Sequence, residues 1–135
     1  MQTALDTVKA LADGNRMRVV AALFEHEELC VCQLTEMLRI SMATVSRHMS
    51  ILHKARLVQS RKEGRWVFYR LGQSFPAPVK EWLSEVLRDT AEITADRRKL
   101  ADMLTCDTAE FCRRYKQVKA MKEEKDSIPQ EFMGR

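Results

Sequence analysis

Cys30 and Cys32 stand one residue apart in the run Leu29-Cys30-Val31-Cys32-Gln33-Leu34. Two thiols at this spacing are suited to gripping a soft, thiol-loving ion such as As(III), Sb(III), Bi(III), Cd(II) or Pb(II). The plainer alternative is a pair of inert cysteines filling apolar space. Residues i and i+2 point about 200° apart on an α-helix, whereas an extended segment puts them on one face. Chelation therefore needs non-helical backbone at 30–32, and binding there is expected to strain or shift the helices that follow. Trivalent arsenic takes three sulfurs in a pyramid and Cd(II) four in a tetrahedron, so two thiols are not enough. The other cysteines are Cys106 and Cys112.

The elements that must position this pair are legible from periodicity. Leu5, Val8, Leu11 and Ala12 share a face of a first helix. Asp13-Gly14-Asn15 interrupts it and offers N-caps for a second helix carrying Met17, Val20, Ala21 and Phe24 and ending near His26. Residues 29–31 are short enough to be extended before a third helix through Leu34, Met37 and Leu38. Arg39-Ile40-Ser41 makes a tight connection, with Ser41 as N-cap of a fourth helix that runs to about Ala55 and buries Val45, Met49 and Leu52. The period then changes to two: 57–62 and 65–71, with Glu63-Gly64 between them, predict a β-hairpin. Pro76 and Pro78 open one long helix reaching Leu104. At 1.5 Å per residue it would be about 40 Å long, too long for so small a domain to cover, which suggests packing against a second copy. The expected fold is mainly α with a small β-hairpin, a winged helix-turn-helix. Residues 1–104 form its DNA-binding and dimerisation domain and 105–135 a cysteine-bearing extension with a charged tail.

Charge is concentrated on the part that would face DNA. Between Ser41 and Arg70 lie seven basic residues (Arg47, Lys54, Arg56, Arg61, Lys62, Arg65 and Arg70) against one acid, Glu63, in a chain of net charge +4. A one-sign excess confined to one segment indicates a polyanion-facing surface, and double-stranded DNA is the natural partner. With Val45, Met49 and Leu52 turned inward, the outer face of the fourth helix carries Thr44 and Arg47, flanked by Ser46 and His48. Ser41, Thr44, Ser46, Arg47 and His48 are the candidate DNA residues there, Arg47 being able to grip guanine bidentately. His48 is either a DNA contact or a satisfied structural histidine. Arg61, Lys62 and Arg65 surround the hairpin tip and suit phosphates, which position without specifying sequence.

At 135 residues with 45% hydrophobic and 31% charged content, the chain fits one ordinary soluble domain. No apolar run nears the roughly 18 residues of a membrane span, and residues 1–13 have amphipathic spacing unlike a signal peptide. A cytoplasmic location with reduced thiols is expected, and no membrane partner. The four glycines form no phosphate loop and no nucleophile–base set stands out, so neither an enzyme nor an organic cofactor is expected. A simple thiol metal carrier would have no use for the basic helix–hairpin unit.

Taken together these motifs resemble the ArsR/SmtB family of bacterial metal sensors. Glu28-Leu29-Cys30-Val31-Cys32 is similar to the metal box of its arsenite-responsive members. Residues 44–49 resemble its recognition helix, 61–70 its wing, and Leu11-Ala12-Asp13 with Arg16 the start of its second helix. The similarity spans roughly residues 4–104. It implies a homodimer built through the first and last helices. It also implies a repressor of an arsenic resistance operon that releases operator DNA when As(III) or Sb(III) binds thiolates. The best-known arsenite box has a third cysteine where this chain has Thr35. Cadmium- and lead-responsive relatives complete four thiolates from a terminal segment, so Cys106 and Cys112 are candidate ligands alongside Cys30 and Cys32, in either subunit. The three histidines all lie before residue 54, so the zinc-type site on the last helix is absent. A redox or persulfide sensor joining Cys30 or Cys32 to a distal cysteine is the third reading.

Overall fold

A computed structural model describes residues 1–105 of the chain; Cys106, Cys112 and the charged tail lie outside the described residues. The order is α1 (Gln2–Leu11), α2 (Gly14–Glu25), β1 (Leu29–Cys30), α3 (Val31–Leu38), α4 (Met42–Lys54), β2 (Val58–Glu63), β3 (Trp66–Leu71), α5 (Ala77–Leu87) and α6 (Ala91–Met103). The strands form one antiparallel sheet in the order β1-β3-β2. Helix, tight turn, helix and basic hairpin are those of a winged helix-turn-helix, with β1 as a third strand on the hairpin.

Local chemistry explains the boundaries. Asp13 caps α2, its Oδ1 accepting from the backbone N–H of Asn15 (2.9 Å) and Arg16 (3.1 Å). Ser41 caps α4 by accepting from the N–H of Thr44 at 3.1 Å. Between them Arg39 adopts φ 54, the left-handed conformation that ends α3. The hairpin loop is Gly64-Arg65, one residue later than expected, since Glu63 pairs with Trp66. Gly64 has φ 61, and glycine at the first position of a two-residue loop suits the strand twist. At the hairpin base a Cβ on Gly72 would lie 2.6 Å from the Arg56 carbonyl oxygen, so only glycine allows that approach.

The core gathers Val19, Val20 and Leu23 of α2, Leu34 and Met37 of α3, and Val45, Met49 and Leu52 of α4. Three expectations are corrected. The long C-terminal helix is two, broken at 88–90, where Thr90 adopts extended dihedrals (φ −70, ψ 145) as N-cap of α6. The break lets α6 turn back onto α2 and α3. There Arg18 of α2 holds Asp96 of α6 through Nε (2.8 Å) and Nη2 (2.7 Å). The argument for a second copy from helix length therefore falls. In α1 the inward face is Thr7, Ala10 and Leu11, leaving Leu5 44% and Val8 65% exposed. In α2 the buried face is Val19, Val20, Ala22 and Leu23, with Met17, Ala21 and Phe24 only half-buried.

Candidate functional site

The thiol pair sits at the junction of a strand and a helix. Leu29 and Cys30 pair with Tyr69 and Phe68 of β3; one residue later the chain is helical. Cys30 has φ −78 and ψ 149, so it is an extended N-cap, while Cys32 lies in the first turn of α3. This kink brings the two side chains together: the Cys32 thiol donates to Cys30 Sγ with the sulfurs 3.0 Å apart. Both residues are fully buried. The non-helical backbone that chelation demands is thus built into the fold, and gathering the sulfurs need not unwind α3.

Gln33 completes the junction. It occupies the third position of α3, and its Oε1 accepts from the Cys30 N–H at 2.8 Å. Its own backbone is directed at the Cys30 side chain, forming a reciprocal capping box. With Oε1 committed, Gln33 Nε2 is the one buried side-chain polar atom without a hydrogen-bond partner among the described residues. An unsatisfied buried donor is costly in an apolar core. The Gln33 spacing is legible afterwards as the N-cap to N3 interval. It was missed because cysteine is a rare N-cap.

The donor set tests whether a thiolate-bound ion fits. Two soft sulfurs at chelating distance fit such an ion in kind. They do not suffice in number, because no cluster of three or more metal-ligating side chains occurs among the described residues. Thr35, at the position of the missing thiol, is buried and donates through Oγ1 to the Val31 carbonyl at 2.7 Å. Burial, then the negative charge of Cys30, push the nearby Tyr69 phenol above its ordinary pKa.

The predicted DNA residues divide into two groups. On α4, Ser46 and Arg47 are exposed. Ser41 and Thr44 are joined by a 2.7 Å hydrogen bond between their hydroxyls and serve the cap. His48 is half-buried, and its Nδ1 accepts from Arg16 Nη1 at 3.1 Å, which requires the tautomer with the proton on Nε2. Arg16 also donates to the Ala10 carbonyl, so His48 takes part in the α1–α2–α4 joint. In the wing, Lys62 and Arg65 are exposed, with no ion pair among the described residues. Arg61 is different. Its Nε and Nη2 hold Glu28 at 2.8 and 2.6 Å, its Nη1 holds Glu63 at 2.8 Å, and it stacks 4.4 Å over Phe68. The hydrogen bond from Arg61 keeps the Glu28 carboxyl below its usual range, against a smaller opposing effect of burial.

A helix-turn-helix with a basic wing and a buried dithiol defines a class: a DNA-binding regulator of the winged-helix type. Residues 13–60 match the family model described as "Bacterial regulatory protein, arsR family". The chain is 38% identical over 96 residues to the arsenic resistance transcriptional regulator ArsR1 of Pseudomonas putida, covering 70% of this chain and 75% of that one. It is 39% identical over 94 residues to the arsenical resistance operon repressor of Escherichia coli, covering 69% and 80%. Among solved structures, HlyU from Vibrio cholerae superposes with a TM-score of 0.58 at 30% identity, over 63% of this chain and 91% of that one. The chain belongs to the ArsR family and is a transcriptional regulator, not an enzyme. No helix among the described residues is long and apolar enough to cross a membrane.

Proposed function

We propose that the chain is a dimeric repressor of an arsenic resistance operon, released from operator DNA when As(III) or Sb(III) binds its thiolates. The observation that carries this reading is the 3.0 Å separation of the buried Cys30 and Cys32 sulfurs at the head of α3. With metal–sulfur bonds of about 2.3 Å, a tetrahedral angle separates sulfurs by about 3.8 Å and a near-right-angled pyramid by about 3.3 Å. The observed spacing is shorter than either, so one ion can span both sulfurs after a small opening of the pair, and the relatives named for arsenic resistance favour a trivalent metalloid over Cd(II) or Pb(II). Cys106 or Cys112 supplies the third sulfur. As arsenous acid condenses with the thiols, each As–OH bond gives way to As–S and each thiol proton leaves in a water molecule.

On the DNA side, Arg47 and Ser46 read base edges in the major groove, and Lys62 and Arg65 contact phosphates across the wing. The exposed apolar residues Leu5 and Val8 of α1 and Trp82 and Val86 of α5 are covered by a second copy. Gel shifts with operator DNA test the proposal: arsenite releases the wild type and leaves Cys30→Ser bound. Release of both alike would refute it. X-ray absorption on the loaded protein then counts sulfur neighbours. Three support the arsenite reading, whereas four on a Cd(II)-loaded protein that alone leaves DNA would transfer the function to cadmium or lead.

A further inference from the structure

We propose that Glu28 and Arg61 strap the thiol pair to the wing, so that ligation at Cys30 and Cys32 reaches the DNA-facing hairpin through the sheet. The inference rests on the dithiol reading above and names the route by which that site acts.

The register sets out the path. Cys30 of β1 lies opposite Phe68 of β3, and Phe68 lies opposite Arg61 of β2. These three residues form one row across the sheet. Arg61 covers Phe68 with its guanidinium and reaches over β3 to Glu28, two residues before Cys30. A planar guanidinium on a carboxylate through two parallel bonds is the stiffest of the common ion-pair geometries. The remaining bond, to Glu63, ends at the residue paired with Trp66 at the hairpin loop. One side chain therefore joins the segment leading into the thiol box to the tip of the wing.

The opposite end of α3 is anchored. Arg18 Nη2 and Lys99 Nζ both donate to the Met37 carbonyl at 3.3 Å, and Leu34 and Met37 are fully buried. A displacement at Cys30 meets packed core on that side and a two-residue strand on the other. The strand is the compliant element, so the sheet takes up the movement. The strap also engages Arg61 with two carboxylates, which makes it a positioning residue and leaves Lys62 and Arg65 as the wing's phosphate contacts.

Phenylarsine oxide tests this without needing a third ligand. It condenses with two thiols, exchanging its As–O bonds for two As–S bonds and releasing one water. The parent protein carries Cys106→Ser, Cys112→Ser and Trp82→Phe, so that Trp66 is the sole tryptophan and Cys30 and Cys32 the sole thiols. Mass spectrometry confirms the adduct and Trp66 emission reports the wing. The parent is expected to change its emission on ligation. Glu28→Gln and Arg61→Gln should form the same adduct with a response at least threefold smaller. Arg61→Lys should respond in between, and the charge-swapped Glu28→Arg, Arg61→Glu pair should recover. A full response in Glu28→Gln would overturn the strap, as would a silent Trp66 or no adduct in the parent. If Trp66 responds through the strap while arsenite fails to release operator DNA, the arsenite-repressor reading falls and the strap stands.

Discussion

Asp96→Asn is expected to destabilise the domain by about 2–3 kcal/mol. Asp96 is 3% exposed and takes two charge-assisted hydrogen bonds from Arg18, at 2.7 and 2.8 Å. Asparagine keeps the shape and one acceptor, but it turns an N–H2 group against the guanidinium and leaves the arginine charge unbalanced. Breaking a buried ion pair by removing one partner costs about 3–5 kcal/mol. The Arg18 side chain is 22% exposed and retains its bond to the Met37 carbonyl, so hydration offsets part of that and the lower figure follows. For a domain of this size the loss corresponds to a fall in Tm of roughly 10 °C. Urea unfolding followed by far-ultraviolet circular dichroism measures it, and a cycle with Arg18→Met isolates the coupling. Arg18→Met with Asp96→Asn together should be less damaging than the two losses added. A single-mutant loss below about 0.5 kcal/mol would put the pair among ordinary surface contacts and refute the claim that it holds α6 on α2.

The other predictions are more local. Gly72→Ala sets a methyl 2.6 Å from the Arg56 carbonyl oxygen, so overpacking against backbone should cost about 1–3 kcal/mol in thermal unfolding. Asp13→Ala removes the α2 cap and should cost about 1 kcal/mol. Burial raises the Asp13 pKa, but the hydrogen bonds from the Arg16 and Asn15 N–H together with the positive charge of Arg16 outweigh it and lower it overall. Its stabilisation is therefore present above the ordinary aspartate pKa and fades as pH falls through the depressed one, and in Asp13→Ala that part of the acid-side loss should vanish. Arg47→Ala should weaken operator binding by about 1–3 kcal/mol and relax sequence preference in gel shifts, whereas Lys62→Ala should mainly flatten the salt dependence by about 0.9 in log–log slope. Thr35→Cys should free arsenite-dependent release from any need for Cys106 and Cys112, which gel shifts in a variant lacking both would check.

The sequence by itself determined the helix-turn-helix, because the caps are local. Asp13 and Ser41 satisfy N–H groups two or three residues away, and Val45, Met49 and Leu52 repeat at the helical period and are all fully buried. It also showed the thiol box and the basic face, since both are contiguous runs. Tertiary structure decided whatever depended on partners far along the chain. The C-terminal stripe read as one helix because a helical period is unchanged by a break; the Arg18–Asp96 pair, 78 residues apart, joins α6 to α2 beside the buried Ile93, Leu100 and Met103. Arg61 looked like a free cation until the sheet set Glu28 beside it, 33 residues away. Periodicity alone placed Cys30 and Cys32 on opposite faces if helical and on one face if extended. Pairing with Phe68 holds Cys30 extended while Cys32 is helical, and that mixed backbone brings the two sulfurs to 3.0 Å.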